Sequence, residues 1–381
     1  MAVEAYDLAV AGAGIVGAAC AALAAEAGLR VVLIEPADVA SGATAAGMGH
    51  VLVMDDSPQL LRWTHFCRQL WLELESELPA RVEFRRTGTV WLAASGGAMQ
   101  QVASKAEKLR AHGVDCAVWG AAELREAEPA LRADLEGGLY VPDDVVLYPP
   151  AAAEYFVNRA RWFHARMRFG QSVTELLRGK LRLSDGSTVV AERCLLANGY
   201  GVRQLVPWLP LEPRKGHLLI TARMTPVVHH QLIELGYHDS VRAPGSHSVA
   251  FNVQPRVTGQ LLIGSSRQHG VADRDVDWTV VQRMAQRARE FLPSFADQPI
   301  IRIWTGLRVA APDGLPVIGY CDEESRTLVA TGHEGLGITA ALGTAQFVVN
   351  LLLGQPTPLP AEWFAPLRFT GSASFQELHC D

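Results

Sequence analysis

The sequence contains no Cys-x-x-Cys pair. Its six cysteines, Cys20, Cys67, Cys116, Cys194, Cys321 and Cys380, are scattered, so no iron–sulfur or zinc site is expected within the chain. Reduced thiols in a cytoplasmic protein are the plainest reading. A basic block is also missing: 34 Lys and Arg stand against 40 Asp and Glu, for a net charge of −6. That balance argues against a nucleic-acid partner. No uncharged apolar run reaches the ~18 residues of a membrane span. Residues 338–353 come nearest, but Gln346 and Asn350 interrupt them, as in a buried helix. An apolar strand begins within a few residues of Met1, which leaves no room for a signal peptide. Tandem repeats and low-complexity linkers are absent too. Only 19% of residues are charged and 49% are hydrophobic, the balance of a globular chain. At 381 residues it is long enough for two domains.

What is present is concentrated near the start. Tyr6-Asp7-Leu8-Ala9-Val10-Ala11 leads into Gly12-Ala13-Gly14-Ile15-Val16-Gly17, an Ala-rich segment follows, and Leu29-Arg30-Val31-Val32-Leu33-Ile34 ends in Glu35. Strand, Gly-x-Gly-x-x-Gly turn, helix, strand and terminal acid form a βαβ unit with a dinucleotide fingerprint. Gly12 makes the tight turn, Gly14 lets a pyrophosphate approach the backbone, and Gly17 lets the helix lie against the strand. Free N–H groups at the helix start face the phosphates, and Glu35 is placed to accept hydrogen bonds from ribose hydroxyls. The unit alone does not choose between NAD and FAD.

A small, Gly-rich run at residues 41–50 follows, able to pass close to a flat ligand. Apolar spacing predicts helices over residues 58–78, 96–112, 151–165 and 278–291. Strands are expected over residues 83–93, 167–177, 180–183, 188–191, 194–198, 216–221, 248–253 and 260–265, with an extended segment over 139–148 and a turn at Asp185-Gly186. The tail from Thr370 reads as poorly ordered. Near the C-terminus a glycine-rich block spans residues 306–319. Val329-Ala330-Thr331-Gly332-His333-Glu334-Gly335-Leu336-Gly337-Ile338 then opens the long apolar helix. Another strand, glycine turn and helix start make an anion-facing site, suited to the negative charge of a reduced flavin.

Together these blocks, with Gly138-Leu139-Tyr140-Val141-Pro142-Asp143-Asp144, resemble the FAD-dependent D-amino-acid oxidase family that includes glycine and sarcosine oxidases. The likeness covers nearly the whole chain. Residues 48–58 and 264–268 resemble, more narrowly, the β subunit of heteromeric D-hydroxyproline dehydrogenases. The resemblance implies an α/β and α+β fold, in which an FAD-binding Rossmann-like domain is interleaved with a substrate domain built on a large mixed β-sheet. The expected division gives residues 1–84, 146–210 and 300–366 to the FAD domain, 85–145 and 211–299 to the substrate domain, and 367–381 to a tail.

Further cofactor contacts are implied at Ile15, Ser41, Thr44, Ala46, Gly47 and Met48 along the pyrophosphate and flavin. Val173 is implied beside the adenine through its backbone, Gly306 near the ring, and Gly332, Gly335, Leu336, Gly337, Ile338 and Thr339 at its pyrimidine side. Arg308 falls on the position that binds a substrate carboxylate, with Arg267 as its competitor; a planar guanidinium suits that task. A surface ion pair is the plain alternative for Arg308. His50, His333 and Glu334 are candidates for acid–base work, though each is more readily read as structural. Two departures stand out. Glycine oxidases carry a second arginine where this chain has Gly335. No cysteine stands near Gly306, where monomeric sarcosine oxidases attach FAD covalently, so non-covalent FAD is expected. The implied activity is oxidation of the C–N bond of a small secondary amino acid by hydride transfer to flavin N5, with D-hydroxyproline or D-proline as substrate. Electrons would pass to partner subunits carrying iron–sulfur and flavin centres, with a second flavin possible at a subunit interface. An oxygen-using glycine or sarcosine oxidase is the rival enzyme, and a flavin-binding partner subunit without its own catalysis is the third reading.

Overall fold

The computed structural model describes residues 5–94, 96–177, 179–236 and 248–370. Its first layer grows from the fingerprint. Strand β1 (Ala5–Ala11), helix α1 (Ile15–Glu26) and strand β2 (Val31–Glu35) form the expected unit, with β1 and β2 parallel. Helix α1 is buried almost all round, since its small side chains let it sit between β1 and the helices Pro149–Trp162 and Ala341–Leu352. The contact at its start is so close that a Cβ on Gly17 would stand 2.0 Å from the Gly12 carbonyl oxygen. The sheet runs Val317–Tyr320, Thr327–Thr331, Thr188–Leu196, β1, β2, Arg166–Phe169, and the hairpin strands Lys180–Leu183 and Val173–Leu177 extend from Thr188–Leu196. The parallel strands put their carboxyl ends on one edge, where ligands bind in open α/β sheets.

The second sheet also has eight strands, in the order Ile300–Ala310, Glu212–Thr221, Leu261–His269, Ser248–Pro255, Gln231–Glu234, Thr89–Ala93, Gly137–Val141, Ala117–Gly120. All its pairings are antiparallel except Gln231–Glu234 with Thr89–Ala93. Helix Trp278–Phe291 covers its outer face. Asp277 caps that helix by accepting from the amides of Thr279 and Val280 at 3.0 and 3.3 Å. Val280, Met284, Ala288 and Phe291 turn inward, and Phe291 stacks on Phe251 with ring centres 4.4 Å apart. The two layers are tied by Arg68 of helix Pro58–Leu74, which donates to Asp144 at 2.8 Å with both side chains almost wholly buried.

The mixed α/β architecture with two large sheets is the expected one, but several boundaries move. Ile300–Ala310 was expected in the nucleotide domain; instead it hydrogen-bonds along Glu212–Thr221 and belongs to the second sheet. The single strand expected over residues 167–177 is two, interrupted at Gly170 (φ +78°). Its first half pairs in parallel with β2 and its second half pairs with Lys180–Leu183. The strands expected at 188–191 and 194–198 are one, Thr188–Leu196. The strand expected from Glu83 begins at Thr89, because Glu83 closes a 3-10 turn with φ +53°. Almost all of the tail lies outside the described residues.

Candidate functional site

Between the two layers lies a cleft of about 1360 Å³, larger than the ~300–1,000 Å³ of ordinary small-molecule pockets. One wall consists of the loops after β1, after β2 and after Thr188–Leu196. The other is the inner face of the second sheet. Gly12, Gly14, Ile15, Glu35, Ser41, Thr44, Ala46, Gly47, Met48, Gly306, Gly332, Gly335, Leu336, Gly337 and Ile338 all line it, as do Arg267, Arg308, His50, His333 and Glu334.

The fingerprint end is built around backbone amides. Gly14 stands at the N-cap of α1 without a capping side chain of its own. Thr44, from the next loop, accepts from the Ile15 amide at 3.0 Å. Glu35 accepts from the amides of Ala13 at 2.7 Å and Ala37 at 3.0 Å, so its carboxylate holds the turn in shape and retains lone pairs on the cleft side. A Cβ on Gly14 would meet nothing nearer than the Thr44 hydroxyl at 3.3 Å. A pyrophosphate therefore has an open approach to the helix start, and the residues fit a dinucleotide lying along this wall.

Farther along, residues 46–48 thread between the layers. A Cβ on Gly306 would stand 2.5 Å from that of Ala46, and one on Gly264 would stand 2.7 Å from the Met48 sulfur. The register then carries a row of residues across the second sheet: Gly264 opposite Asn252, Asn252 opposite Ile233, Ile233 opposite Trp91. Asn252, Ile233 and Trp91 face the cleft beside Leu218, Leu52 and Met54, giving it a largely apolar floor.

Charge gathers at one end of this floor. Arg308 donates to the Ser266 carbonyl at 2.9 Å. Arg267 approaches Glu334 with Nε 2.7 Å from Oε1, and Arg214 stands 3.7 Å from the same oxygen. Burial pushes the Glu334 carboxyl up, but Arg267, Arg308 and Arg214 outweigh it and hold it down at about 2. The surface that Glu334 retains is cleft wall. It is thus a fixed anion at neutral pH, not a proton acceptor. Burial, with Arg308 and Arg267 nearby, depresses His50 to about 4 against the pull of the Gly335 carbonyl, and Gln231 reaches its Nδ1 at 3.3 Å. His333 is likewise held at about 4 by burial and pairs with the Thr344 hydroxyl at 2.9 Å. Both imidazoles are neutral at pH 7 and engaged, which favours the structural reading of each.

Two implied contacts fall off the cleft wall. Val173 begins the hairpin strand Val173–Leu177, packs against its neighbouring apolar clusters and is not among the lining residues. Thr339 is fully buried behind the wall, where its hydroxyl donates to the His50 carbonyl at 3.2 Å. Gly17 acts through packing, as expected. The glycine turn at 332–337 does not open directly into the long helix. A 3-10 turn, Glu334–Leu336, intervenes and the helix begins at Ala341, so the cleft wall here is made by this turn and its neighbours, not by the first turn of the long helix. Sequence reading missed Arg214 and Gly216. A glycine inside an otherwise regular strand is a signal for close approach, and Gly216 is such a glycine; nothing in the sequence marks Arg214. Among the described residues no three His, Cys, Asp or Glu side chains group to hold a metal ion, and no helix is long and apolar enough to cross a membrane.

Comparison with known proteins decides the family. The model of the FAD dependent oxidoreductase family, DAO, matches residues 7–351. The chain belongs to that family. It is 26% identical to a glycine oxidase of Bacillus licheniformis over 379 residues, covering 95% of this chain and 96% of the relative. It is equally 26% identical to the hydrogen cyanide synthase subunit HcnC of Pseudomonas aeruginosa, covering 96% of each. The crystal structure of glycine oxidase from Geobacillus kaustophilus superposes with a TM-score of 0.86 at 25% identity, over 96% of this chain and 99% of that one. The cleft of this FAD-dependent oxidoreductase is lined by both the fingerprint and the glycine-rich C-terminal turn.

Proposed function

We propose that this FAD-dependent oxidoreductase oxidises the C–N bond of a small secondary amino acid to an imine, with D-hydroxyproline or D-proline as substrate. The observation that supports the reading is the position of Arg308: a guanidinium at the end of an apolar floor, inside the cleft that the fingerprint also lines. Bound FAD supplies a two-electron acceptor for the hydride on the substrate Cα. Arg308 grips the carboxylate in a bidentate pair and so fixes which face of the substrate meets the cofactor. Leu52, Met54, Ile233 and Trp91 shelter a small ring from water. Neutral His50 lies beneath this region without adding charge.

The narrower resemblance at residues 48–58 and 264–268 supports passage of electrons to partner subunits, and the match to a named synthase subunit gives the same reading some company. The glycine oxidase relatives support the rival, direct reaction with oxygen. Anaerobic mixing of the FAD-loaded protein with D- and L-amino acids tests the substrate: cis-4-hydroxy-D-proline and D-proline should bleach the flavin bands faster than glycine or sarcosine. No bleaching by any amino acid would leave a binding subunit without catalysis of its own. Turnover should be fast with an artificial dye and slow with oxygen. Hydrogen peroxide formed by the isolated chain at the rate of dye reduction would establish the oxidase instead.

A further inference from the structure

We infer that Glu334 is a specificity-determining residue: its carboxylate occupies the second guanidinium site of the cleft, so the enzyme accepts amino acids with one carboxylate and rejects those with two. This rests on reading Arg308 as the carboxylate anchor and goes beyond it to a selection rule. Arg308, Arg267 and Arg214 all line one end of the cleft. Arg308 and Arg267 come from neighbouring parts of the sheet, since Arg308 donates to the carbonyl of Ser266, the residue before Arg267. A cleft with several guanidinium groups so placed would by itself favour a dianionic ligand. Here one position is filled from within. Glu334 sets Oε1 2.7 Å from Arg267 Nε and Oε2 3.4 Å from its terminal nitrogen, while Arg214 stands 3.7 Å from the same Oε1. The carboxylate is supplied from an unusual backbone: Glu334 is a non-glycine residue at φ +50° in the tight turn over the cleft. Side chains avoid that conformation unless the surroundings impose it, and the two arginines are surroundings of that kind. The three arginines also keep Glu334 ionised across the physiological range. A second carboxylate on the substrate would have to displace a fixed anion or lie against it, and like charges brought together in a desolvated site are strongly disfavoured.

The test uses the FAD-loaded protein and non-reactive ligands, so it does not depend on which amino acid is oxidised. Binding of acetate and propionate, and of malonate and succinate, is followed through the change each causes in the absorption of bound FAD. The wild-type protein should bind the dicarboxylates no more tightly than the monocarboxylates. In Glu334→Gln, which keeps the shape and removes the charge, the ratio should shift towards dicarboxylates by about tenfold or more. If that variant fails to load FAD, Glu334→Gln with Arg214→Gln restores the charge balance and leaves Arg267 facing the cleft; the same shift is expected. An unchanged ratio in a folded, FAD-loaded variant overturns the inference, as does a wild-type protein that already prefers dicarboxylates. Failure of the underlying reading is distinguishable: Arg308→Ala would then bind acetate as well as the wild type does.

Discussion

The Arg308 guanidinium lies across the bare backbone of Gly216: a Cβ at residue 216 would stand 2.7 Å from both of its terminal nitrogens. The glycine thus sets the height at which the charged fork crosses the sheet. Gly216→Ala should leave the fold and the flavin in place, because the far end of a flexible side chain gives way more easily than backbone. It should move the guanidinium, however, and raise KM for the amino acid by the equivalent of about 1.5–3 kcal/mol. Arg308→Ala should cost more, about 2–5 kcal/mol in kcat/KM, with FAD still bound. Steady-state kinetics on both variants check the pair; wild-type kinetics in Arg308→Ala would turn attention to Arg267.

The last two glycines of the fingerprint should fail in different ways. A Cβ on Gly14 meets only the Thr44 hydroxyl at 3.3 Å, whereas one on Gly17 falls 2.0 Å from the Gly12 carbonyl oxygen. Gly14→Val should therefore fold and lose FAD, while Gly17→Ala should lose stability as well, by about 1–3 kcal/mol or more from overpacking. Thermal melts of the FAD-free proteins, alongside flavin content after reconstitution, separate the two. Equal melting temperatures would remove the packing argument.

Arg68 and Asp144 are each 1% exposed and 2.8 Å apart. Burial raises the Asp144 carboxyl against the pull of Arg68. Arg68→Ala would strand a buried carboxylate and should destabilise the fold by about 3–5 kcal/mol. Arg68→Met with Asp144→Leu should recover most of that loss. Urea unfolding of the three proteins measures both; a single variant within about 1 kcal/mol of wild type would show that water reaches the pair.

Acid should weaken the protein well above the carboxylate range. His50 and His333 are held at about 4 in the folded state against an ordinary 6.5. Between those values the unfolded chain binds protons that the folded one refuses, so stability is complete above pH 6.5 and falls as the pH drops towards 4. At pH 5 the loss is about 2 kcal/mol for each histidine. Denaturant titrations at pH 7.5, 6 and 5 should show the decline, and His333→Gln, which can still reach Thr344, should remove about half of it. A stability that does not change across that range would mean that neither ring is buried as the neutral form.

Local pattern determined much of this protein. The spacing of Gly12, Gly14 and Gly17 between two apolar runs calls for β1, α1 and β2, and the periodicity over residues 278–291 gives the helix its observed ends. Those features depend on neighbours within a few turns of chain, where steric and hydrogen-bonding preferences act directly. The family blocks at 306–319 and 332–337 likewise pointed to the far side of the cleft. What only the tertiary structure decided are the meetings of distant residues. Ile300–Ala310 looks like any apolar strand; its place at the edge of the second sheet depends on register with Glu212–Thr221. Arg267 and Arg308 were equal as candidates by residue type, and it is Glu334, brought across by the glycine turn, that pairs with Arg267. Thr44 reaches Ile15, and Gly216 lies beneath Arg308, for the same reason. A side chain's charge is written in the sequence, but whether that charge is matched, buried or presented to a ligand depends on which other chain segments pack within a few ångströms of it.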